Sequence, residues 1–391
     1  MSKYPMVRLA DAFSLQMGKT PSRDCSLYWE NGTNKWLSIS DINKDSKFIS
    51  ETKEYITDKA VLESGIKHVP ENTVIMSFKL SIGKTAITTC PIYTNEAIMA
   101  FIPKEEVSFD ISFLYHLFAN KNWSNGSNKA VKGSTLNKAS LSITQIPYPT
   151  KEEQKRISKN LDKIFYLIQR RKQQLSKFDE LAKSRFIEMF GQCGEDRFGW
   201  GVSRLGDCCI INPSKSTEAR LEDELEVSFC PMPYVSESGD IKTGETKLYK
   251  DVKSGFTYFA EEDVLFAKIT PCMENGKGAI ARNLKNGIGF GSTEFHILRP
   301  NRSIITPEWL YVLTTFKQFR KDAEANMTGS AGQKRVPSIF LRNYKISIPP
   351  LEMQKQYVGI LEQLDKSKFR IKKSLEKLEL TYKALLQEYF G

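Results

Sequence analysis

The sequence repeats itself at a spacing of about 200 residues, and this duplication constrains the fold more than any other feature. The segment Ile146-Pro-Tyr-Pro149, which precedes Glu153-Gln154-Lys155, returns as Ile346-Ser-Ile-Pro349, which precedes Met353-Gln354-Lys355. Between the two copies the spacing drifts, as expected for two versions of one fold whose loops differ in length. The 391 residues therefore predict the order domain, helix, domain, helix.

Each repeat ends in a segment with the apolar spacing of a long helix. The apolar residues follow steps of four and three, which are typical of a coiled-coil seam. The predicted seam consists of Ile157, Leu161, Ile164, Ile168, Leu175 and Phe178 in the first segment, and of Leu361, Leu364, Ile371, Leu375 and Leu378 in the second. Since a long helix cannot bury one apolar stripe alone, we predict that the two helices pair with each other in antiparallel orientation. Arg171 and Lys368 interrupt the seam, which we interpret as specification of the register.

The fold class that follows is α+β. We predict two similar globular domains joined by two long antiparallel coiled-coil helices, with a pseudo-twofold internal repeat. The predicted segments are a first domain at 1–150, a central helix at 151–191, a second domain at 192–350 and a C-terminal helix at 351–391. Prolines precede both helices and glycines follow them, as helix starts and ends favour.

Within the domains, short β-type runs such as Thr73–Phe78 and Val264–Ile269 alternate with turn signals, which predicts a curved sheet. One helix is expected in each domain, at Ser112–Ala119 and at Pro307–Lys317. The glycine-rich segment Gly287-Ile-Gly-Phe-Gly291 lacks the strand–loop–helix setting of a cofactor loop, so we expect a turn between strands there.

The charge of the chain is positive and unevenly distributed. The formal net charge is +11, and three long runs contain no acidic residue: Ile111–Lys151, Asn275–Thr293 and Ala325–Leu351. Basic runs that are also rich in Asn, Ser and Gly suit a polyanion such as DNA. An ordinary solvated surface remains the alternative from charge alone.

Several classes of protein are disfavoured by what the sequence lacks. No apolar stretch approaches the ~18 residues of a membrane span, so we expect a soluble cytoplasmic protein without a membrane partner. The seven cysteines form no CxxC pair and only three histidines could join them, so no metal site is predicted. The tripeptides Gly18-Lys-Thr and Gly83-Lys-Thr lack the earlier glycine of a phosphate loop. No catalytic residue is predicted.

The positive evidence for recognition lies in polar loops that precede each long helix. Glycine N–H groups, hydroxyls and Lys or Arg heads are the groups that hold phosphates, and Asn137, Gln333 and Arg335 are suited to base edges. The predicted DNA-binding residues are Lys79, Lys84, Lys129, Lys132, Ser134, Thr135, Asn137 and Lys138 in the first repeat, and Lys268, Lys277, Arg282, Ser292, Thr293, Gln333, Lys334 and Arg335 in the second.

At this point the sequence resembles the specificity (S) subunits of Type I restriction–modification systems. The residues that carry the resemblance are Trp36-Leu-Ser-Ile-Ser-Asp-Ile42, Phe229-Cys-Pro-Met-Pro-Tyr-Val-Ser236, the segment from Val264 to Lys277, Gly291-Ser-Thr-Glu-Phe295, and the Gln-Lys helix openings that follow Pro149 and Pro349. Their order, spacing and duplication span essentially the whole chain.

The resemblance implies a division of labour. Each domain would be a target recognition domain that reads one half of a bipartite, asymmetric DNA sequence. The paired helices would fix the distance between the halves and bind two methyltransferase (M) subunits, and restriction (R) subunits would join the complex. No cofactor is expected on this chain, because S-adenosylmethionine, ATP and Mg²⁺ would belong to the partner subunits.

Two alternatives from other classes stay open at this point. One is a coiled-coil adaptor that does not read DNA. The other is a stand-alone Mg²⁺-dependent nuclease that uses Glu262, Asp263 and Lys268.

Overall fold

The computed structural model describes residues 3–43, 45–79, 81–123, 128–130, 133–192, 195–214, 221–330 and 332–391, with the backbone alone for 128–130 and 133–135. The chain forms two compact units. Unit 1 comprises Met1–Gln174 and Ile371–Gly391, and unit 2 comprises Leu175–Arg370. Each unit therefore contains one globular domain and a part of both long helices, and each mixes helix with sheet, which confirms the predicted α+β class.

The domain of unit 1 contains twelve strands and four short helices among its described residues. In chain order they are β1 (Met6–Arg8), α1 (Leu9–Ala12), β2 (Phe13–Met17), β3 (Asn34–Leu37), β4 (Phe48–Ile49), β5 (Glu54–Ile56), α2 (Asp58–Ser64), β6 (Val74–Ser77), β7 (Thr85–Thr88), β8 (Tyr93–Thr94), β9 (Ile98–Pro103), α3 (Ile111–Asn120), β10 (Asn128–Ala130), β11 (Gly133–Thr135), α4 (Lys138–Ile143) and β12 (Gln145–Pro147). The first long helix, α5 (Lys151–Phe190), follows.

The sheets of unit 1 surround one main core. A five-stranded sheet has the order β2-β9-β6-β7-β4, a three-stranded sheet has the order β5-β3-β8, and β1 pairs with β12 and β10 with β11. Strands β6 and β9 are apolar on both faces and are buried, because helix α3 covers one face of their sheet. The core continues onto the long helices through Ile157, Leu161 and Tyr389.

The domain of unit 2 contains ten strands and five short helices among its described residues. They are β13 (Val202–Arg204), α6 (Leu205–Cys208), β14 (Cys209–Ile211), β15 (Glu226–Cys230), β16 (Thr246–Leu248), α7 (Tyr249–Val252), β17 (Thr257–Ala260), β18 (Val264–Ala267), β19 (Gly278–Ile280), β20 (Ile288–Gly291), β21 (Phe295–Pro300), α8 (Pro307–Thr315), α9 (Lys317–Ala325), α10 (Ser338–Asn343) and β22 (Lys345–Ser347). The second long helix, α11 (Leu351–Phe390), ends the chain.

The two domains share one topology. The sheet β14-β21-β18-β19 of unit 2 matches β2-β9-β6-β7 of unit 1, and β16-β15-β20 matches β5-β3-β8, including a parallel pair in each. The ribbon of β13 with β22 matches that of β1 with β12. Strand β4 extends the first sheet of unit 1, and β17 extends the second sheet of unit 2. The predicted internal repeat is thus confirmed at the level of strand order.

The prediction of a turn at Gly287–Gly291 is wrong. Residues Ile288–Gly291 form strand β20, which pairs with β15 and β17 and is buried. Two close approaches explain the glycines: a Cβ atom at Gly289 would lie within 2.1 Å of the Phe259 ring, and one at Gly291 within 2.3 Å of the Cys230 carbonyl oxygen. Glycine here serves close packing inside a strand.

The long helices contain 40 residues each, which corresponds to about 60 Å at the usual rise. A buried glutamine fixes each start in the same way. The Gln154 amide donates to the Pro149 carbonyl and accepts from the Asp110 backbone N–H at 2.8 Å. Gln354 makes the same bonds to Pro349 and to the Thr306 N–H. Both side chains are fully buried, so each tethers its domain helix to the start of its long helix.

Within each unit, the two long helices run antiparallel. In unit 1, the Asn160 amide donates to the Tyr389 hydroxyl, and Phe165 lies against Tyr382 with ring centroids 6.2 Å apart. In unit 2, Lys368 pairs with Asp179 at 2.6 Å, and the Tyr357 hydroxyl donates to the Ala182 carbonyl. As residue numbers rise along α5 they fall along α11, which confirms the predicted antiparallel pairing in each unit.

The predicted seam residues face away from solvent. Ile157, Leu161, Ile168 and Leu364 are buried, and the others are half-buried, namely Ile164, Leu175, Phe178, Leu361, Ile371, Leu375 and Leu378. Lys368 interrupts this stripe and is half-buried, and its ammonium ion reaches the Asp179 carboxylate of α5. A cation in the stripe that is paired across the helices favours one register over shifted ones.

Candidate nucleic-acid interface

Both units place a β-hairpin at the same point of the sequence repeat. In unit 1, β10 and β11 form the first hairpin (Asn128–Thr135), in which Lys129 lies opposite Ser134. The backbone positions of Lys129, Ser134 and Thr135 are described, whereas Lys132 lies outside the described residues. A two-stranded ribbon of this size fits the major groove of DNA.

The second hairpin (Thr328–Arg335) occupies the corresponding place in unit 2. Thr328 and Arg335 exchange backbone hydrogen bonds of 3.0 and 2.8 Å. The hairpin is attached to the chain after β18, because the Thr270 N–H donates to the Lys334 carbonyl and the Val336 N–H to the Lys268 carbonyl. The side chains of Gln333 and Lys334 are exposed.

An ion pair ties this second hairpin to the turn before β21. The Arg335 guanidinium donates from Nε and Nη2 to the Glu294 carboxylate at 2.9 and 2.8 Å, and from Nη1 to the Gln333 carbonyl at 3.0 Å. The bond to Arg335 is the main cause that lowers the pKa of Glu294, and the same bond raises the pKa of Arg335. Both groups are therefore charged at neutral pH.

The predicted residues Ser292 and Thr293 lie in the turn that carries Glu294. The Ser292 hydroxyl accepts the Glu294 backbone N–H, and the Thr293 side chain is exposed. The Lys268 N–H donates to the Glu294 carbonyl at 2.9 Å. The structure thus brings six of the predicted residues of unit 2 to one surface: Lys268, Ser292, Thr293, Gln333, Lys334 and Arg335.

The two remaining predicted residues of unit 2 have other partners. The Lys277 ammonium donates to the Met232 carbonyl, and Arg282 forms an ion pair with Glu308 at the start of α8. Neither contact belongs to the second hairpin or to its attachment.

In unit 1, the predicted residues are more dispersed. Asn137 is exposed and caps α4, because its amide oxygen accepts the Ser140 N–H at 2.7 Å. Lys138 beside it is exposed, whereas the half-buried Lys84 donates to the Ile39 carbonyl. Lys79 is half-buried, with its ammonium 5.4 Å from the Phe78 ring.

By sequence, Val74-Ile-Met-Ser-Phe-Lys79 parallels Val264-Leu-Phe-Ala-Lys268, which makes Lys79 the equivalent of Lys268. The structure aligns the two repeats differently at this point. Phe78, and not Lys79, occupies the place of Lys268, since the Leu136 N–H donates to the Phe78 carbonyl as the Val336 N–H does to Lys268. Phe78 is buried, while Lys268 is half-buried and lines a cleft of about 300 Å³ with Tyr258 and Phe295. The two candidate reading surfaces therefore carry different chemistry.

The residues of the nuclease alternative do not converge. Asp263 accepts two bonds of 2.8 Å from Arg299, and Glu262 pairs with Arg302 at 2.5 Å. Lys268 lies beyond the opposite end of β18 and beside Glu294. In the described ranges, no group of three or more His, Cys, Asp or Glu residues could hold a metal ion.

Sequence reasoning missed the acid of this surface. Glu294 follows directly after the acid-free run that ends at Thr293, so its position at the edge of a basic segment was the available signal. Its partner Arg335 is 41 residues away in the sequence, so no local sequence signal could have predicted the ion pair.

No helix among the described residues is both long and apolar enough to cross a lipid bilayer.

One known protein family matches both repeats of this chain. The family model for the Type I restriction modification DNA specificity domain matches residues 1–177 and again 198–381. The EcoAI specificity subunit of Escherichia coli, a Type I restriction enzyme component, is 46% identical over 167 residues, which are 42% of this chain and 28% of that subunit. The chain thus spans less than a third of the length of this relative.

Solved structures agree on the fold. The S subunit of a Type I restriction–modification system from M. genitalium aligns over 100% of this chain and 96% of that chain, with a TM-score of 0.53 and 13% identity. A second solved chain, from a study of the assembly and conformational transition of the type I R-M system, aligns over 100% and 99%, with a TM-score of 0.54 and 18% identity. Because the family model covers nearly all of both repeats, the chain belongs to the family of Type I restriction–modification DNA specificity proteins.

Proposed function

We propose that this chain is the DNA sequence-specificity subunit of a Type I restriction–modification complex in the cytoplasm. The observation that carries the proposal is the basic hairpin that each unit places before a long helix, within a family-matched repeat. Glycine N–H groups, hydroxyls and cationic side chains on such hairpins supply contacts to DNA phosphates and bases. The chain itself is non-catalytic in this proposal.

The target is bipartite and asymmetric. Each unit reads one half, and the halves differ because the two surfaces differ: unit 2 holds Lys268 where unit 1 holds the buried Phe78, and unit 2 also holds the Glu294–Arg335 pair. Two identical surfaces would instead favour a palindrome.

The long helices are the docking surface for two M subunits, and R subunits complete the complex. Apolar side chains on the outer helix faces support this role: in unit 1 Tyr166 is 59% exposed and Leu380 is 68% exposed, and in unit 2 Phe369 is 58% exposed. S-adenosylmethionine, ATP and Mg²⁺ act on the partner subunits.

Methylation mapping tests the proposal. The chain is expressed with its M partner in a host without other DNA methylation, and modified adenines are located genome-wide by long-read sequencing. The expected result is methylation at one bipartite, asymmetric sequence. Methylation without sequence preference would refute the proposal, and absent or salt-insensitive DNA binding by the complex would favour the adaptor alternative, because phosphate contacts impose a steep salt dependence.

A further inference from the structure

We infer that Glu294 is a positioning residue for DNA recognition by unit 2, and that it holds the Arg335 guanidinium so that its outer edge reads a guanine. This inference rests on the proposed function. The starting observation is that a carboxylate, which DNA phosphates repel, lies among the predicted DNA-binding residues of unit 2, beside Lys268 and Arg335.

The count of N–H groups shows what remains for a ligand. A guanidinium has five N–H donors. Glu294 takes one from Nε and one from Nη2, and the Gln333 carbonyl takes one from Nη1. Within the described part of the chain, one N–H on Nη1 and one on Nη2 have no partner. Arg335 is 41% exposed, so these two donors are accessible.

Two donors on neighbouring nitrogens of one plane match the paired acceptors O6 and N7 on the major-groove edge of guanine, which is the commonest specific contact of arginine with DNA. Glu294 and the hairpin that carries Arg335 are both bonded to the residues that follow the end of β18. The Glu294 carbonyl accepts the Lys268 N–H, and the hairpin of Arg335 is bonded to Lys268 and Thr270. The guanidinium therefore loses little further freedom on binding.

The charge balance separates base reading from phosphate attraction. Glu294 neutralises Arg335, so this arginine adds little to sequence-independent attraction by the phosphates. Lys334, which follows Gln333 on the exposed side of the hairpin, has no carboxylate in contact among the described residues. We therefore assign phosphate attraction to Lys334 and base discrimination to Arg335.

The experiment uses the full complex with M subunits and a DNA series in which each base pair of both half-sites is changed in turn. Glu294→Gln keeps the shape of the side chain and removes its charge. It is expected to reduce discrimination at one G·C pair of a single half-site by about tenfold, while the other half-site is read as before. Arg335→Lys keeps the charge but loses the planar fork, and it should relax the same base pair.

Two control variants complete the series. Glu262→Gln breaks a comparable ion pair with Arg302 in the same unit and should leave base preference unchanged. Lys334→Ala should weaken binding on all sequences and lower the slope of log affinity against log salt by about 1.

The inference is overturned if Glu294→Gln lowers methylation equally on every sequence, which would make the pair a purely structural clamp, or if it behaves like Glu262→Gln. A failure of the proposed function looks different, because the unmodified complex would then show no preference at any position of either half-site.

Discussion

Both units use a buried glutamine at the start of the long helix, but the remaining contacts between each domain and the long helices differ, although the topology is the same. In unit 1, the fully buried His116 of α3 bonds to Asp162 of α5 at 2.7 Å and to the Tyr382 hydroxyl of α11 at 2.8 Å. Asp162 also accepts from Lys47 and Ser112, each at 2.5 Å. The junction of unit 1 thus adds a polar network, which links the domain to both helices, to ring contacts such as that of Phe113 with Phe390, whose centroids are 5.4 Å apart.

The junction of unit 2 is aromatic. Phe186 of α5 packs against Trp309 of α8 and Tyr357 of α11, with ring centroids 5.8 and 5.5 Å apart. Val312 stands in the place of His116, because Thr306 and Asp110 start the two domain helices in the same way. Directional hydrogen bonds fix one geometry, whereas ring packing tolerates conservative exchange. Duplication therefore preserved the architecture while the chemistry of the junctions diverged.

The largest effect is expected at the aromatic junction. Trp309 is 2% exposed, so Trp309→Ala should lower the free energy of unfolding of unit 2 by about 3–5 kcal/mol through the cavity it leaves. Trp309→Phe should cost less, about 1–2 kcal/mol, because an aromatic six-membered ring still fills most of the site and the indole N–H has no partner among the described residues. Hydrogen exchange resolved by segment measures both; an equal loss of protection in the two variants would contradict this account.

A smaller loss of stability is expected at the polar network of unit 1. Asp162→Ala leaves Lys47, which is 10% exposed, and His116 without their acceptor, and should cost about 2–3 kcal/mol in unit 1. The matched control is Glu362→Ala, which lies 200 residues later on the exposed face of α11 and should stay within about 0.5 kcal/mol. Chemical denaturation, with hydrogen exchange as the readout for each segment, distinguishes the two variants. If Asp162→Ala lowered the free energy of unfolding as little as Glu362→Ala does, the network would contribute nothing to stability.

The smallest effect is a pH dependence of unit 1. Burial lowers the pKa of His116 below its ordinary 6.5, and Asp162 and Asp110 oppose that shift while Lys47 adds to it. Below about pH 6.5 the unfolded chain therefore binds a proton that the folded chain does not, and stability falls as pH falls, by at most about 1.4 kcal/mol per pH unit. The pKa of Asp162 is also lowered, but from 3.8, so it contributes only in stronger acid.

His116→Gln tests this dependence. The variant should flatten the loss of protection in unit 1 between pH 7 and pH 5, measured by hydrogen exchange corrected for intrinsic rates. Unit 2 serves as the internal control, because burial likewise lowers the pKa of His296 there and its pH dependence should persist. An unchanged slope in unit 1 would remove His116 as the cause.

The sequence predicted those parts of the molecule that depend on local periodicity. The long helices follow from apolar steps of three and four, and strands such as β6 and β18 follow from short apolar runs. Two parallel strand pairs, β3 with β8 and β15 with β20, join residues that are distant in the sequence. No local sequence pattern predicts such pairs. A glycine-rich strand such as β20 resembles a turn because its packing partners, Phe259 and Cys230, are unknown before folding.

The candidate site was predictable as a region rather than as a set of contacts. Basic, glycine-rich composition indicated both polar loops but not that they form hairpins. The Glu294–Arg335 pair joins residues 41 positions apart in the sequence. The alignment of Lys79 with Lys268 shows a second limit, since a shift by one residue moves a side chain to the other face of a strand. Phe78 takes that place and is buried.

An exchange of recognition segments tests the central claim most directly. Because β1 with β12 and β13 with β22 close the two domains equivalently, residues Val202–Ser347 can be replaced by a second copy of Met6–Pro147, with both long helices retained. Retained binding of the M subunits shows that the chimera folds. Methylation mapping of that complex should reveal an inverted repeat of one original half-site. The unchanged asymmetric target would contradict the assignment of one half-site to each unit.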